Sequence, residues 1–438
     1  HGLARIEESD REGIITLLNK ASVTTFTATT LAFTLVPRIN ATGRMGSPNR
    51  AVELLITEYP DQAALLAEDI CEDNERRKEI EKEITEEAIT MIERDDTLKF
   101  SRILVLDGEN WHGGVLGIVA SKIVERFGKP TVIISRTGDE AKGSGRSVEG
   151  FSLFEAIRDC GAALLRFGGH PMAAGVTLCA DKINEFRTKI NAYAKIKADY
   201  MPAPSVTVEC KLLPGALGVE IPQMLTVMEP FGSGNPYPVF GLFSMVLEGI
   251  TPVGGGNHLR LNFRRDSVAV TCMKFGCRQE NFPYKIGTPL DLAVILEAKE
   301  FKGAQNLTVM IKEMKPSGLS MDNCVRTYKS YEKYKRGEIM GTEELAVITP
   351  TRNDLADIYR LLRAEGGWKL SALQLLALLP KQDITLGKIM IALEILQERN
   401  LITFSGEELL YVSLIPATHK VDIFDSAVYK TLKSLTKE

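Results

Sequence analysis

Apolar and polar residues alternate with different periods along this chain, and the changes of period mark out its elements. Glu12–Ala21 repeats apolar residues at helical spacing, and Thr24–Leu35 contains a second helix pattern. Asp61–Asp95 holds neither glycine nor proline and carries Ile70, Ile80, Ile84, Ala88 and Met91 at helical intervals. Its heptads are irregular, so it predicts one connecting helix, ~50 Å long, rather than a coiled coil. Its charge run is then a solvated face. Residues 101–200 alternate strand and helix patterns: strand Arg102–Leu106, apolar helix Val115–Phe127, strand Thr131–Ser135, a helix marked by Phe154, Ile157, Leu164 and Leu165, strand Ala174–Cys179, and helix Asp181–Ala198. Gly168 and Gly169 read as the stop of the third helix pattern. Residues 205–316 change to period two, with strands over Val206–Glu209, Phe243–Glu248, His258–Arg264, Val268–Phe275, Leu290–Ala298 and Leu307–Glu313. A hairpin turn at Arg265-Asp266 and this strand count suit a small closed barrel of the oligonucleotide-binding kind. Pro230–Phe240, PFGSGNPYPVF, reads as an ordered interdomain turn. Over 345–415, helices Asn353–Ala364, Ser371–Leu379 and Leu386–Arg399 precede a hairpin turning at Ser405-Gly406, which reads as a winged helix. The fold class expected is multidomain α/β plus β-barrel.

Length and charge narrow this picture. At 438 residues the chain has room for roughly three domains. The net charge is −4, so any nucleic-acid surface has to be local. Seven cysteines lie scattered without a C-x-x-C pair. They read as reduced thiols of a cytoplasmic protein, since Cys272 and Cys277 alone make a poor zinc site. No apolar run reaches membrane-spanning length, so a membrane is not an expected partner. The chain opens at His1 directly in helical text, which leads us to expect a further N-terminal part ahead of it.

The stretch Lys142–Gly175, KGSGRSVEGFSLFEAIRDCGAALLRFGGHPMAAG, concentrates the candidate chemistry. It reads as a glycine-rich loop between the strand Thr131–Ser135 and a helix that Ser152 and Glu155 open with capping-box spacing. Strand, glycine-rich loop and helix gather backbone N–H groups around an anion, and Arg146 adds a forked cation suited to phosphate. His170 returns in the turn that follows. In PRINATGRMG, Pro37–Gly46, two arginines flank an Asn-Ala-Thr-Gly turn. It is either a surface loop with solvated charges or a loop presenting Arg38, Asn40 and Arg44 to an anion. His112, between a strand and a helix start, reads as a hydrogen-bonded structural residue. In the barrel Arg260, Arg264, Arg265 and Phe263 either follow a single strand or are ordinary strand residues with outward charges. Tyr328, Tyr331 and Tyr334 among basic residues are a base-stacking platform or a helix edge packed on a neighbour. The last winged-helix helix, TLGKIMIALEILQERN, is mostly apolar and suits protein contact or plain packing.

The runs PRINATGRMG, NWHGGVLGIVASKIVERFGKP, GSGRSVEGF and FGGHPMAAG together resemble the bacterial RecJ family, single-strand-specific DNA exonucleases of the DHH phosphoesterase superfamily. PFGSGNPYPVF fits the start of that family's barrel, and the resemblance extends over residues 1 to about 315. It implies a DHH-domain tail over 1–57, a connecting helix over 58–98, a DHH-associated domain over 99–200 and an oligonucleotide-binding (OB) domain over 201–316. A basic Tyr-rich linker over 317–344 and a winged-helix-like domain over 345–438 complete the expected order. By resemblance the activity is 5′→3′ hydrolysis of single-stranded DNA in repair and recombination, with single-stranded DNA as partner and single-strand-binding protein or a helicase beside it. The family's cofactors are two Mn2+ or Mg2+ ions held by aspartates and histidines of the DHH domain. No Asp-His-His triplet occurs here, so the ligands are expected upstream and this chain alone is expected to be inactive. The resemblance implies that Ser144 and Arg146 hold a DNA phosphate near the 5′ end, assisted by Ser147 and the backbone around Gly145. Arg38, Asn40 and Arg44 would line the same cleft, and His170 would face the scissile phosphate and act in catalysis. The alternatives are a non-catalytic DNA-binding or scaffold module, and an enzyme for short oligonucleotides or cyclic dinucleotides. The barrel and C-terminal domain argue against the last, because a dinucleotide does not need them.

Overall fold

The structure is a computed structural model that describes residues 2–23, 26–301, 303–379, 383–406, 409–416 and 422–435. The chain forms two compact units, residues 1–204 with 230–236 and residues 205–229 with 237–438.

The first unit begins with a helical cluster. Helices α1 (Glu12–Lys20), α2 (Val36–Met45) and α3 (Asn49–Ile56) pack on the first half of α4 (Pro60–Arg94) around Leu17, Leu54 and Ile70. The second helix pattern, Thr24–Leu35, appears as helix from Ala28 onward, and its first two residues lie outside the described ones. The expected loop Pro37–Gly46 is instead the helix α2. Proline is tolerated in a first turn, and a π-turn over Leu31–Leu35 leads into it. Burial of Ala41 and Thr42 outweighs the poor helix propensity of an Asn-Ala-Thr-Gly run. The second half of α4 leaves this core and buries Ile84, Ala88 and Ile92 in the next one. One uninterrupted helix therefore ties two cores together.

The second core lies on a five-stranded sheet in the order β1-β2-β3-β5-β4, formed by β1 (Leu104–Glu109), β2 (Thr131–Thr137), β3 (Glu140–Arg146), β4 (Arg166–His170) and β5 (Ala173–Cys179). Strands β1 and β2 run parallel through the crossover helix α5 (Leu116–Phe127), and all other pairs are antiparallel. Helix α5 and α4 cover one face of β1 and β2. Helices α6 (Leu153–Asp159) and α7 (Ile183–Lys197) cover the other face of the sheet.

Here the glycine-rich stretch departs from expectation. Gly143, Gly145 and Arg146 belong to strand β3, between β2 and β5, so the ladder takes up their backbone groups. The glycines have a packing reason. A Cβ at Gly143 would come within 2.9 Å of Ile134 and Val176, and one at Gly145 within 2.7 Å of Leu153. The helix that follows is also shorter than its apolar pattern suggests. It ends at Asp159, and Gly168 and Gly169 lie in the edge strand β4 instead of stopping a helix.

In the second unit, β6 (Phe240–Val253), β7 (His258–Arg265), β8 (Val268–Lys274), β9 (Pro289–Phe301) and β10 (Ala304–Pro316) pair in the order β6-β7-β8-β10-β9. Pairing of β9 back onto β6 closes the barrel. Strict alternation places Leu259, Leu261 and Phe263 inside and Arg260, Asn262 and Arg264 outside. Phe263 is fully buried and unable to stack on a base.

The expected Tyr-rich linker is largely a helix, α8 (Met321–Lys335). The winged helix follows as α9 (Arg352–Ala364), β11 (Trp368–Leu370), α10 (Ala372–Leu378), α11 (Leu386–Glu398), β12 (Ile402–Ser405) and β13 (Leu410–Leu414), with sheet order β11-β13-β12. Gly406, in the expected wing turn, has φ +88°, and residues 407–408 lie outside the described ones. Helix α8 packs on α11, whose residues from Ile389 to Leu393 are all buried. Tyr331 is buried and donates to Glu394 at 2.6 Å, and burial pushes the Tyr334 phenol up to about 12. Tyr331 therefore belongs to a packed helix edge and not to a stacking platform, and the half-buried Tyr328 has its ring centroid 5.7 Å from that of Tyr331. Contact at Gly387 is so close that a Cβ there would lie 2.5 Å from the Thr327 carbonyl oxygen. Gly387→Ala should lower stability by about 1–3 kcal/mol, because backbone on both sides has to give way. The chain has two tryptophans. In a Trp111→Phe background, denaturant unfolding followed by Trp368 fluorescence reads this loss, and an unchanged midpoint would refute it.

Candidate phosphate-binding site

Three of the residues singled out in the sequence, Arg44, Ser144 and Arg146, meet at the head of α5, in the first unit. The chain leaves β1 through Trp111 and His112, and His112 Nδ1 accepts a hydrogen bond from the Gly114 N–H at 3.2 Å. This bond fixes the turn, as the structural reading of His112 expected. Gly114 is pressed against the C-terminal end of α2. A Cβ there would lie 2.4 Å from the Arg44 carbonyl oxygen, and the Arg44 Nη1 donates to the Gly114 carbonyl at 2.8 Å. One turn on, Gly117 makes room for β3. A Cβ at Gly117 would lie 2.7 Å from Arg146 Nη2 and 3.1 Å from Ser144 Oγ.

Arg146 is half-buried. Its Nη1 donates to the Gly145 carbonyl at 2.8 Å and to Ser144 Oγ at 3.3 Å. Burial lowers its pKa below the ordinary arginine value, and the nearby charge of Arg44 lowers it further. Neither arginine forms an ion pair among the described residues. Two guanidinium groups with no ion pair among the described residues, beside the N-terminal end of a helix whose dipole favours negative charge, form a receptor for an anion. The helix start concerned is that of α5. The expected cradle at α6 is filled from within: Ser152 Oγ accepts from the Glu155 N–H, and the Leu153 N–H donates to the Pro171 carbonyl at 2.9 Å.

His170 reaches this neighbourhood through the sheet. Arg146 on β3 and His170 on β4 are both in register with Ala173 on the intervening strand β5. Register partners point to one face, so the two side chains stand two strands apart on the same side, ~10 Å between backbones. The hairpin turn is held down by the Ser147 N–H, which donates to the Met172 carbonyl at 3.0 Å. Gly169, with φ +147° and the Ala173 carbonyl oxygen 2.3 Å from a Cβ position, admits no side chain. His170 is exposed.

Other candidates do not converge. On α2, Asn40 and Arg44 are one turn apart on one side, but Arg38 is rotated about 120° from Arg44. Arg38 donates to the Thr34 carbonyl at 2.6 Å and helps lower the pKa of Glu75 on α4, after the Lys78 hydrogen bond and charge and the Asn74 hydrogen bond. Ser147 is buried and donates to the Phe151 carbonyl at 2.6 Å, so its hydroxyl is committed to a turn. In the second unit, Arg264 pairs with Glu248 at 2.6 Å, whereas Arg260 makes no ion pair among the described residues. On the same outer face, His258 packs edge-on against the half-exposed Phe275, ring centroids 5.1 Å apart, beside the Gly254–Gly256 turn. Sequence reading missed this pair, though the alternation of β7 and β8 was the signal for it. All seven cysteines are free thiols, and burial pushes Cys160 up to about 11 and Cys272 up to about 12, so these two are not nucleophiles at neutral pH. Among the described residues no three His, Cys, Asp or Glu side chains lie close enough to hold a metal, so those present do not supply a site for Mn2+ or Mg2+. No helix among them is long and apolar enough to cross a membrane.

Comparison with known proteins places this geometry in context. The DHHA1 domain model matches residues 97–196 and the RecJ OB domain model matches residues 208–313. The single-stranded-DNA-specific exonuclease RecJ of Bacillus subtilis is 32% identical over 320 residues, 71% of this chain and 40% of that protein. Its counterpart from Escherichia coli is 32% identical over 343 residues, 72% of this chain and 56% of that protein. The crystal structure of Thermus thermophilus RecJ in complex with Mn2+ is similar with a TM-score of 0.63 at 30% identity, over 73% of this chain and 46% of that one. A second structure of that protein holds Mg2+. The chain thus spans about half the length of the relatives it matches.

Gly117→Ala should separate anion binding from stability. Its Cβ meets the mobile end of Arg146, so melting should change little. Displacing the guanidinium should weaken binding of a 5′-phosphorylated thymidine oligomer by roughly tenfold, the worth of one charge-assisted hydrogen bond. Gly114→Ala meets backbone instead and should lower the melting temperature. Unchanged affinity in a folded Gly117→Ala protein would remove Arg146 from the anion site.

Proposed function

Because the chain belongs to the RecJ family, we propose that it forms the DNA-gripping part of a single-stranded-DNA-specific 5′→3′ exonuclease of repair and recombination. The single observation that carries this reading is the pair Arg44 and Arg146, held without counter-ions beside the first turn of α5. A planar, permanently charged fork binds phosphate in two-point fashion, and Ser144 lies within reach to add a hydroxyl. Asn40 lines the same side of α2. A terminal phosphate in this seat positions the strand end. His170, in the same row two strands across the sheet, would donate a hydrogen bond to the phosphoryl group as charge builds up on it. Taken by itself, the second unit offers single-stranded DNA its outer barrel face, where Arg260 and the His258–Phe275 pair supply charge and stacking surface, with Arg264 already neutralised. Beyond single-stranded DNA, this role calls for single-strand-binding protein or a helicase to present the strand.

The cofactor of such an enzyme is a divalent ion, Mn2+ or Mg2+, which supplies an activated water and stabilises the leaving oxygen when bound. The donor set described above does not provide for it, so no step is assigned to the ion here. We accordingly expect this 438-residue chain by itself to bind single-stranded DNA in Mn2+ without cutting it. Fluorescence anisotropy and a gel assay on one sample measure both properties. Hydrolysis by the pure chain would overturn the division of labour, and failure to bind would overturn the function. In a longer polypeptide that carries this chain and hydrolyses DNA, Arg146→Ala should mainly raise KM. His170→Ala should lower kcat by on the order of 10²-fold with little change in binding. A drop in melting temperature with kcat preserved would make His170 a fold residue only.

A further inference from the structure

The open face of the sheet carries more than the Arg146 row. Register places Lys142 of β3, Thr177 of β5 and Arg166 of β4 in one row, on the same face as Arg146, Ala173 and His170. Between these rows lie Ser144, Gly175 and Gly168. The outer rows are four residues apart, ~14 Å along the strands.

The two glycines in the middle row lack an internal reason. Neither has a positive φ, unlike Gly169. A Cβ at Gly168 would meet nothing within 4 Å, and one at Gly175 would meet only the Gly143 carbonyl oxygen, at 3.8 Å. Glycine weakens a strand, and where neither backbone nor packing demands it, close approach of a ligand backbone does. The rim of this bare floor is cationic. Arg166 is exposed and forms no hydrogen bond or ion pair among the described residues. Lys142 has one exposed partner, Glu140 at 3.0 Å, two residues before it on the same face, so Lys142 is the weaker cation of this rim and Arg166 the stronger. No carboxylate stands on β4 or β5 on this face.

We propose that Lys142, Thr177 and Arg166 form a second phosphate subsite, which takes a phosphate further along the strand whose end sits at Arg146. The backbone crosses the floor of Gly168 and Gly175 between the two seats. This rests on the function proposed above for Arg146, and the test separates the two. The full chain is titrated with 5′-phosphorylated thymidine oligomers of about two and about eight nucleotides by fluorescence anisotropy over a range of salt. Arg166→Ala should weaken the longer oligomer roughly tenfold and reduce the salt slope by about 0.7, one phosphate contact on a single strand. It should leave the shorter one unchanged, while Arg146→Ala weakens both. Gly175→Val fills the floor without touching a charge and should act like Arg166→Ala, and Arg166→Lys should restore the slope. Arg166 is exposed, so its loss should not change melting. Unchanged long-oligomer affinity in Arg166→Ala, with Arg146→Ala still defective, would overturn the subsite and leave the terminal site standing. Equal loss on both oligomers would place Arg166 in the terminal site and also overturn the proposal. No effect from either arginine would overturn both readings.

Discussion

Two like charges held together without a counter-ion govern the architecture of the first unit. Arg44 is anchored by its donation to the Gly114 carbonyl, and Arg146 by donations to Gly145 and Ser144. Each bond consumes one donor and leaves the rest of the fork free. Bringing the forks together requires close approach on two sides of the start of α5, and both contacts fall on glycine. At Gly114 the end of α2 presses on the turn, and at Gly117 the Arg146 head occupies the space of a side chain. The mutual repulsion is a standing cost, offset by the two cores that α4 joins. An arriving phosphate would relieve it, which is why such a pair makes a receptor rather than a weak point.

Glycine serves opposite ends on the two faces of one sheet. Towards the α6–α7 core, Gly143 and Gly145 admit Ile134, Val176 and Leu153, and any larger residue would force those elements apart. Towards the open face, Gly168 and Gly175 admit nothing of the protein's own. The first pair is explained by packing energy and the second by what comes from outside. Because strand side chains alternate, both requirements fit into a few residues of β3, β4 and β5. The result looks like a loop in composition and is a sheet in fact.

That contrast explains what could be read from the sequence. Asp61–Asp95 showed as one helix because its apolar positions keep a helical period with no breaker, and the structure has α4 over Pro60–Arg94. The barrel strands showed because half-buried strands alternate, as Leu259, Leu261 and Phe263 do. Pro37–Gly46 did not show as a helix, since its helicity comes from packing of Ala41 and Thr42 and not from local propensity. The strand β3 did not show because the reason for its glycines lies on Ile134, Val176 and Leu153, which sit on neighbouring elements, Val176 33 residues from Gly143. Arg44, Ser144 and Arg146 were identified by type and by resemblance. That they gather at α5 and not at α6, and that His170 shares a row with Arg146, follows only from strand register.

An acidic protein that grips DNA has to do so by leaving particular cations unpaired. The formal charge of −4 gives no general attraction, and many arginines here are neutralised by neighbours. Arg77 pairs with the buried Glu81, which Lys122 also reaches at 2.5 Å; Arg136 and Arg187 share Asp107; and Arg264 is held by Glu248. The winged helix follows the same rule. Its α11 is covered by α8, and Lys335 is bound to Glu394 at 2.9 Å, so that helix presents little free charge to a groove. Arg44, Arg146 and Arg166 are among the arginines that no carboxylate pairs with among the described residues, and what distinguishes them is place: two converge at the head of α5 and the third rims the bare floor. Counterion release scales with the phosphates contacted, not with total charge. Binding through a few such sites then depends only modestly on salt, and the neutralised surroundings discourage contact anywhere else. On the function proposed above, recognition of a strand end would rest on the charge left without an ion pair at the head of α5 and on the bare floor beside it.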